Sequence, residues 1–175
     1  MNYFEWFGVE RKFNLDPADL RKSFLSKSME LHPDKANSID ESLPEQSGYN
    51  NLAYSTLKDK SKRFTYILTL EDIIVAGEKP ILPQEFLMEM LEFNMEIEEA
   101  KELKDESKLK SLKSQIENKI QLQLSGIQDI LNQYDKGILN DDSKSKLKNF
   151  HYIEKYLLRI EESIYTFASD RKSVV

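Results

Sequence analysis

Residues 84–105 read Gln84-Glu85-Phe86-Leu87-Met88-Glu89-Met90-Leu91-Glu92-Phe93-Asn94-Met95-Glu96-Ile97-Glu98-Glu99-Ala100-Lys101-Glu102-Leu103-Lys104-Asp105. Phe86, Met90, Phe93, Ile97 and Ala100 are spaced 4-3-4-3. At about 100° per residue, with Phe86 at zero, all five lie within about 40° of that line. This is the seam of a helix that packs into a bundle. Leu87, Leu91, Met95 and Met88 form a second stripe at about 100–200°, bordered by Glu92 and Glu99 at roughly 220–240°. A surface helix of a bundle needs one stripe, not two. The second either docks a partner or is buried because the helix is central or packs against the first part of the chain. Residues 85–106 hold nine acids and two lysines, a local net of −7, whereas residues 107–175 sum to +3.

Downstream, apolar spacing predicts helices over roughly 107–134 and 142–170, broken by Asp135-Lys136-Gly137 and Asn140-Asp141-Asp142. With 84–105 these make a three-helix bundle. Leu147, Phe150, Ile153, Leu157, Ile160, Ile164 and Phe167 form the last helix's seam, with Tyr152 to one side as an interface anchor or a bundle-rim residue. Upstream, Val75–Pro83 holds one of five glycines and two of five prolines and marks a boundary. The expected division is 1–75, a linker at 76–83, and 84–175. Ile81 and Leu82 are too apolar for a free linker, so the two domains are expected to pack on one another. Before the boundary, Tyr3–Phe7 is a short apolar segment ended by Gly8. Asp16-Pro17 opens a helix whose face is Leu20, Phe24, Ser28 and Leu31 and which Pro33 stops. Residues 35–47 read as a polar loop, followed by helices at Tyr49–Leu57 and Lys60–Leu70.

The 175 residues carry 39% hydrophobic and 32% charged side chains, enough for one or two packed domains. With 25 Lys plus Arg against 31 Asp plus Glu, the net charge of −6 disfavours nucleic acid as a partner. The absence of cysteine excludes disulfides, thiolate zinc sites and a catalytic thiol. No apolar run reaches a membrane span, and the opening Met1-Asn2-Tyr3-Phe4-Glu5 lacks the marks of a secretory signal. The expected location is cytoplasmic.

His32-Pro33-Asp34 gains meaning from its context. Tyr3-Phe4 through Phe7-Gly8-Val9, Leu20-Arg21-Lys22-Ser23-Phe24, His32-Pro33-Asp34-Lys35, Ala53-Tyr54-Ser55-Thr56-Leu57 and Arg63-Phe64-Thr65-Tyr66 follow in order. Together they resemble a DnaJ-type J-domain. Asn2-Tyr3-Phe4, Arg63-Phe64-Thr65-Tyr66-Ile67-Leu68 and Phe86-Leu87-Met88-Glu89-Met90-Leu91-Glu92 are similar to one branch, the HscB family of iron–sulfur cluster assembly J-proteins.

The resemblance implies an all-α fold: an N-terminal J-domain, a helical hairpin with short flanking helices, and a C-terminal three-helix bundle in an L-shaped arrangement. It implies a co-chaperone that stimulates the ATPase of a heat-shock-70-class (HscA- or DnaK-type) chaperone and delivers an iron–sulfur scaffold of IscU type to it. The chaperone is then met by His32, Pro33, Asp34, Lys35, Arg21, Lys22 and Lys27. The scaffold is met by Leu87, Met88, Leu91, Glu92, Met95, Glu99 and Tyr152, largely the second stripe and its rim. The chain departs from the family pattern at three places. Lys27 stands where many J-domains have a core Leu, the fourth helix opens only as Lys60-Ser61-Lys62-Arg63, and Met95 replaces a frequent Glu. Some eukaryotic relatives carry a cysteine-rich module, which this chain lacks, favouring a bacterial form.

The rivals are a J-protein delivering a different client, an acidic helical scaffold protein, and an enzyme using His32 with Asp34 or His151 with Glu154 as acid–base pairs. Nothing in the sequence marks out a nucleophile, oxyanion donors or a pocket. No cofactor or metal site is expected: His32 has no second His at ligand spacing, and His151 reads as a bundle-surface residue.

Overall fold

Asn2 starts the first helix. In the computed structural model its Oδ1 accepts the backbone N–H groups of Phe4 and Glu5 at 3.0 Å each, while Glu5 Oε2 accepts the Asn2 N–H at 2.9 Å. This reciprocal cap lets a five-residue helix, α1 (Tyr3–Phe7), form, and Gly8 closes it at φ 64°. The structure describes residues 1–32 and 42–170, with side chains as far as Ile164. All regular structure among the described residues is helical: α1, α2 (Pro17–Glu30), α3 (Leu43–Lys58), α4 (Lys60–Leu70), α5 (Gln84–Glu102), α6 (Glu106–Tyr134) and α7 (Asp141–Asp170).

The chain divides into two compact units. The first comprises Met1–Ile74 with Ile130–Leu139, the second Val75–Asp129 with Asn140–Val175. In the first, Asp16 caps α2 through Ala18 N–H, and Pro17 occupies the first turn, as its fixed φ favours. α3 begins at Leu43, earlier than the expected Tyr49, because Pro44 sits in its first turn, where no N–H is required. Phe4, Leu20, Ala53, Leu57, Ile67 and Leu68 form the buried centre. Arg63 is buried as well. Its Nε donates to Phe13 O at 3.0 Å and its Nη1 to Leu57 O, so the guanidinium joins the 8–16 segment to the end of α3. Burial lowers its pKa, opposed by the charges of Asp135 and Asp59.

Residues 130–139 belong to this unit through polar contacts that local patterning did not reveal. Asp135 accepts the N–H groups of Phe13 (2.6 Å) and Asn14 (2.9 Å), and the Asn14 side-chain amide (2.8 Å). The Phe13 and Tyr134 rings lie 4.7 Å apart. Tyr134 donates to Glu71 Oε1 at 2.6 Å, and Arg11 holds the same oxygen at 2.7 Å.

In the second unit α5, α6 and α7 enclose Met90, Phe93, Ile97, Ala100, Leu109, Leu112, Ile116, Ile153, Leu157, Ile160 and Ile164. The expected seams of α5 and α7 are those found, Phe167 lying outside the described side chains. Leu82 packs on this core. Ile81 does not: between Pro80 and Gly77 on one side and Pro83 on the other, its side chain stands in solvent.

Candidate functional site

Two surfaces carry the residues singled out in the sequence, one on each unit. On the first, Arg21 and Lys22 are exposed on α2, and His32 is exposed just after its end. Pro33, Asp34 and Lys35 lie outside the described residues. Lys27 is different. Its Nζ lies 5.6 Å from the centroid of the Trp6 ring and 3.0 Å from Glu30 Oε2, with its stem half-buried. A lysine fits a position suited to leucine because the methylenes pack while the ammonium rests on an aromatic face. Leu25 and Met29, four residues apart and in step with Arg21, are also exposed. The sequence held the signal for these two, since both fall away from the Leu20–Phe24 face, but the apolar pair within the basic stripe was missed.

On the second unit, α5 buries one face and bares the other. Met90, Phe93, Ile97 and Ala100 are buried, while Leu87, Met88, Leu91 and Met95 are exposed, Met95 at 66%. Of the two openings left by the sequence, the structure realises the bare stripe. Lysines of α6 sort the carboxylates: Lys119 pairs with Glu89 at 2.5 Å and Lys108 with Glu96 at 2.6 Å. Glu96 holds the Lys108 pKa above the usual lysine value. Glu92 and Glu99 are exposed and take part in none of the described ion pairs. They are the two that border the Leu/Met stripe.

Tyr152 is half-buried on α7. Its hydroxyl donates to Glu78 Oε2 at 3.4 Å, and Lys148 Nζ donates to Oε1 of the same carboxylate at 2.5 Å. Lys148 draws the Glu78 pKa down; partial burial, then Glu78, pushes that of Tyr152 up. One turn on, Tyr156 meets Phe86 of α5 edge to face at 5.6 Å, which sets the tyrosine face of α7 beside the start of α5.

His151 corrects the expectation of a surface position. It is 2% exposed, and burial, with help from the Lys155 charge, lowers its pKa to about 4. At 100° per residue it falls on the shoulder of the seam, beside the buried Leu147 and Phe150. Among the described residues no group of histidines and carboxylates is placed to hold a metal ion, and no helix is long and apolar enough to cross a membrane.

Residues 82–165 match the family model described as the HSCB C-terminal oligomerisation domain. Over 173 residues, 95% of the chain and 99% of the relative, the sequence is 31% identical to a co-chaperone protein HscB homologue of Photobacterium profundum. The chain belongs to the HscB co-chaperone family. A second HscB relative, named an iron–sulfur cluster co-chaperone protein in Arabidopsis thaliana, is 32% identical over 124 residues, which span 69% of this chain and 48% of that protein. The solved structure of chaperone HscB from Vibrio cholerae aligns with a TM-score of 0.60 at 28% identity, over 94% of this chain and 99% of that one. The all-α HscB fold, a J-domain and a C-terminal helical bundle, is therefore the fold of this chain, and the family's C-terminal domain contains the bare stripe of α5 in its entirety.

Proposed function

We propose that this HscB-family protein stimulates the ATPase of a heat-shock-70-class chaperone of HscA type through its J-domain and brings an IscU-type iron–sulfur scaffold to that chaperone on its C-terminal bundle, in the cytoplasm. The observation that carries the reading is the bare stripe Leu87, Met88, Leu91 and Met95, flanked by Glu92 and Glu99 and facing away from a complete bundle core. An apolar strip of this kind exposed on a helix whose other face is already packed has the composition of a docking surface, with the exposed carboxylates of Glu92 and Glu99 at its rim. Tyr152, beside the start of α5, adds an aromatic anchor.

Arg21 and Lys22 supply the charge that meets an acidic chaperone surface, with Lys27 behind them. His32, Pro33, Asp34 and Lys35 act at the chaperone. Asp34 accepts charge-assisted hydrogen bonds that bias the chaperone's two-state cycle toward hydrolysis. The protein contributes no group to the hydrolysis itself.

Single-turnover ATP hydrolysis by the chaperone tests this, with wild type, Asp34→Asn and Leu87→Ala/Leu91→Ala, each with and without scaffold. Asp34→Asn is expected to abolish stimulation, and the double alanine only the increment the scaffold adds. Stimulation by wild type to which the scaffold adds nothing, with no binding between the two, points to a different client. No stimulation by wild type removes the reading altogether.

A further inference from the structure

One buried amide joins three helices of the J-domain. Asn50, on α3, is 2% exposed. Its Oδ1 accepts Trp6 Nε1–H from α1 at 2.9 Å; its Nδ2–H donates to Ser28 Oγ on α2 at 2.9 Å; and Ser28 Oγ–H donates to Phe24 O at 2.8 Å. The direction of every link is fixed from one end. An indole nitrogen only donates, so the amide oxygen must face Trp6, the amide nitrogen must face Ser28, and the Ser28 hydroxyl must send its own proton to the carbonyl of Phe24. A buried amide left without these partners costs free energy that an apolar residue in the same place would not. The arrangement is therefore poor as a source of adhesion and effective as a source of register.

The register concerns the end of α2. Ser28 lies one helical turn before His32. On its two sides, Phe24 stacks on Tyr54 of α3 with ring centroids 4.1 Å apart, and Lys27 is held over Trp6. The last two turns of α2 are thus gripped from α1 and from α3, and the relay determines how the helix is rolled between them. Rolling α2 by one helical position, about 100°, turns His32 from one face of the unit to another.

We infer that Trp6, Asn50 and Ser28 are positioning residues for chaperone activation: they fix the roll of α2 and so the direction in which His32 is presented. This rests on the J-domain role given above. It assigns to the relay an effect on the stimulated rate and not on encounter, which Arg21 and Lys22 provide.

The experiment compares wild type, Ser28→Ala, Ser28→Thr and Trp6→Phe as full-length proteins. Circular dichroism melts verify folding, and single-turnover hydrolysis by the chaperone is followed against co-chaperone concentration. Ser28→Ala favours helix and Trp6→Phe keeps an aromatic ring at a half-buried position, so both variants are expected to fold. Their maximal stimulated rate is expected to fall about tenfold with the half-saturating concentration within about twofold of wild type, because misorientation penalises the step after binding. Ser28→Thr, which keeps the hydroxyl, is expected to restore the rate. Unchanged maximal rates in folded Ser28→Ala and Trp6→Phe overturn the inference, as does a loss that Ser28→Thr fails to rescue. Failure of wild type to stimulate overturns the J-domain role and this inference together, and is told apart by that control.

Discussion

Met90 and Leu91 are consecutive on α5, yet Met90 is 0% exposed at the bundle centre and Leu91 is 60% exposed. The first helps hold the fold; the second is free for another molecule. Met90→Ala is expected to cost about 2–5 kcal/mol of stability through lost burial and the cavity left behind. Leu91→Ala is expected to change stability by less than about 0.5 kcal/mol while weakening scaffold binding. Urea unfolding and scaffold titration of the two variants check this. Equal destabilisation would mean that the stripe is structural.

His151 makes the bundle sensitive to acid. Its folded pKa of about 4 lies below the ordinary 6.5, so between those values the unfolded chain takes up a proton that the folded chain refuses. Stability is therefore lost as pH falls through this window, by up to about 3 kcal/mol from this group. Glu154, whose carboxyl burial raises, acts in the opposite sense, binding its proton in the folded state first. Urea midpoints across the window for wild type and His151→Gln isolate the imidazole: the variant is expected to show the shallower pH dependence.

The two surfaces differ in charge, and salt separates them. Arg21 and Lys22 are exposed cations, whereas the α5 stripe is apolar. Raising ionic strength from about 0.05 to about 0.5 M is expected to raise the co-chaperone concentration needed for half-maximal chaperone stimulation by severalfold, and to change scaffold affinity much less. The exposed Leu25 and Met29 are expected to leave a portion of chaperone binding that salt does not remove. Identical salt slopes for the two partners contradict the division.

Asp135 is expected to matter more than its place in a short inter-helix segment suggests. Asp135→Ala strips three hydrogen bonds from Phe13 and Asn14, two of them to backbone N–H groups. A loss of about 1–3 kcal/mol is expected in urea melts. A change within about 0.5 kcal/mol would show that water replaces the carboxylate at no cost.

The apolar periodicity made most of this fold legible. The 4-3-4-3 seam of α5 and the Asp16-Pro17 start of α2 lie where local sequence places them, because caps and helical faces are set by neighbours three or four residues away. The start of α3 was not legible in the same way: a proline at 44 reads equally as a loop residue and as the first turn of a helix. Nor were Arg63, Asn50 and Asp135, whose partners lie 50, 22 and 122 residues away. His151 failed for a related reason, since its burial depends on how far neighbouring helices reach around a seam and not on its own stripe. For the candidate site, the bare apolar stripe could be located from α5 alone, whereas the pairing of Glu89 and Glu96 required the lysines of α6.

The tie between Phe13 and Asp135 also sets an order of events. At roughly 5–20 residues per second, a ribosome adds the aspartate some 6–24 s after the phenylalanine. For about the last 3–13 s of that interval, once Leu70 has been added, the nascent first unit has the residues of its four N-terminal helices but lacks Leu131, Tyr134 and Asp135, so its last closing contacts wait on the synthesis of most of the bundle. A gene cut after residue 74 would produce a chain held permanently at that unfinished stage.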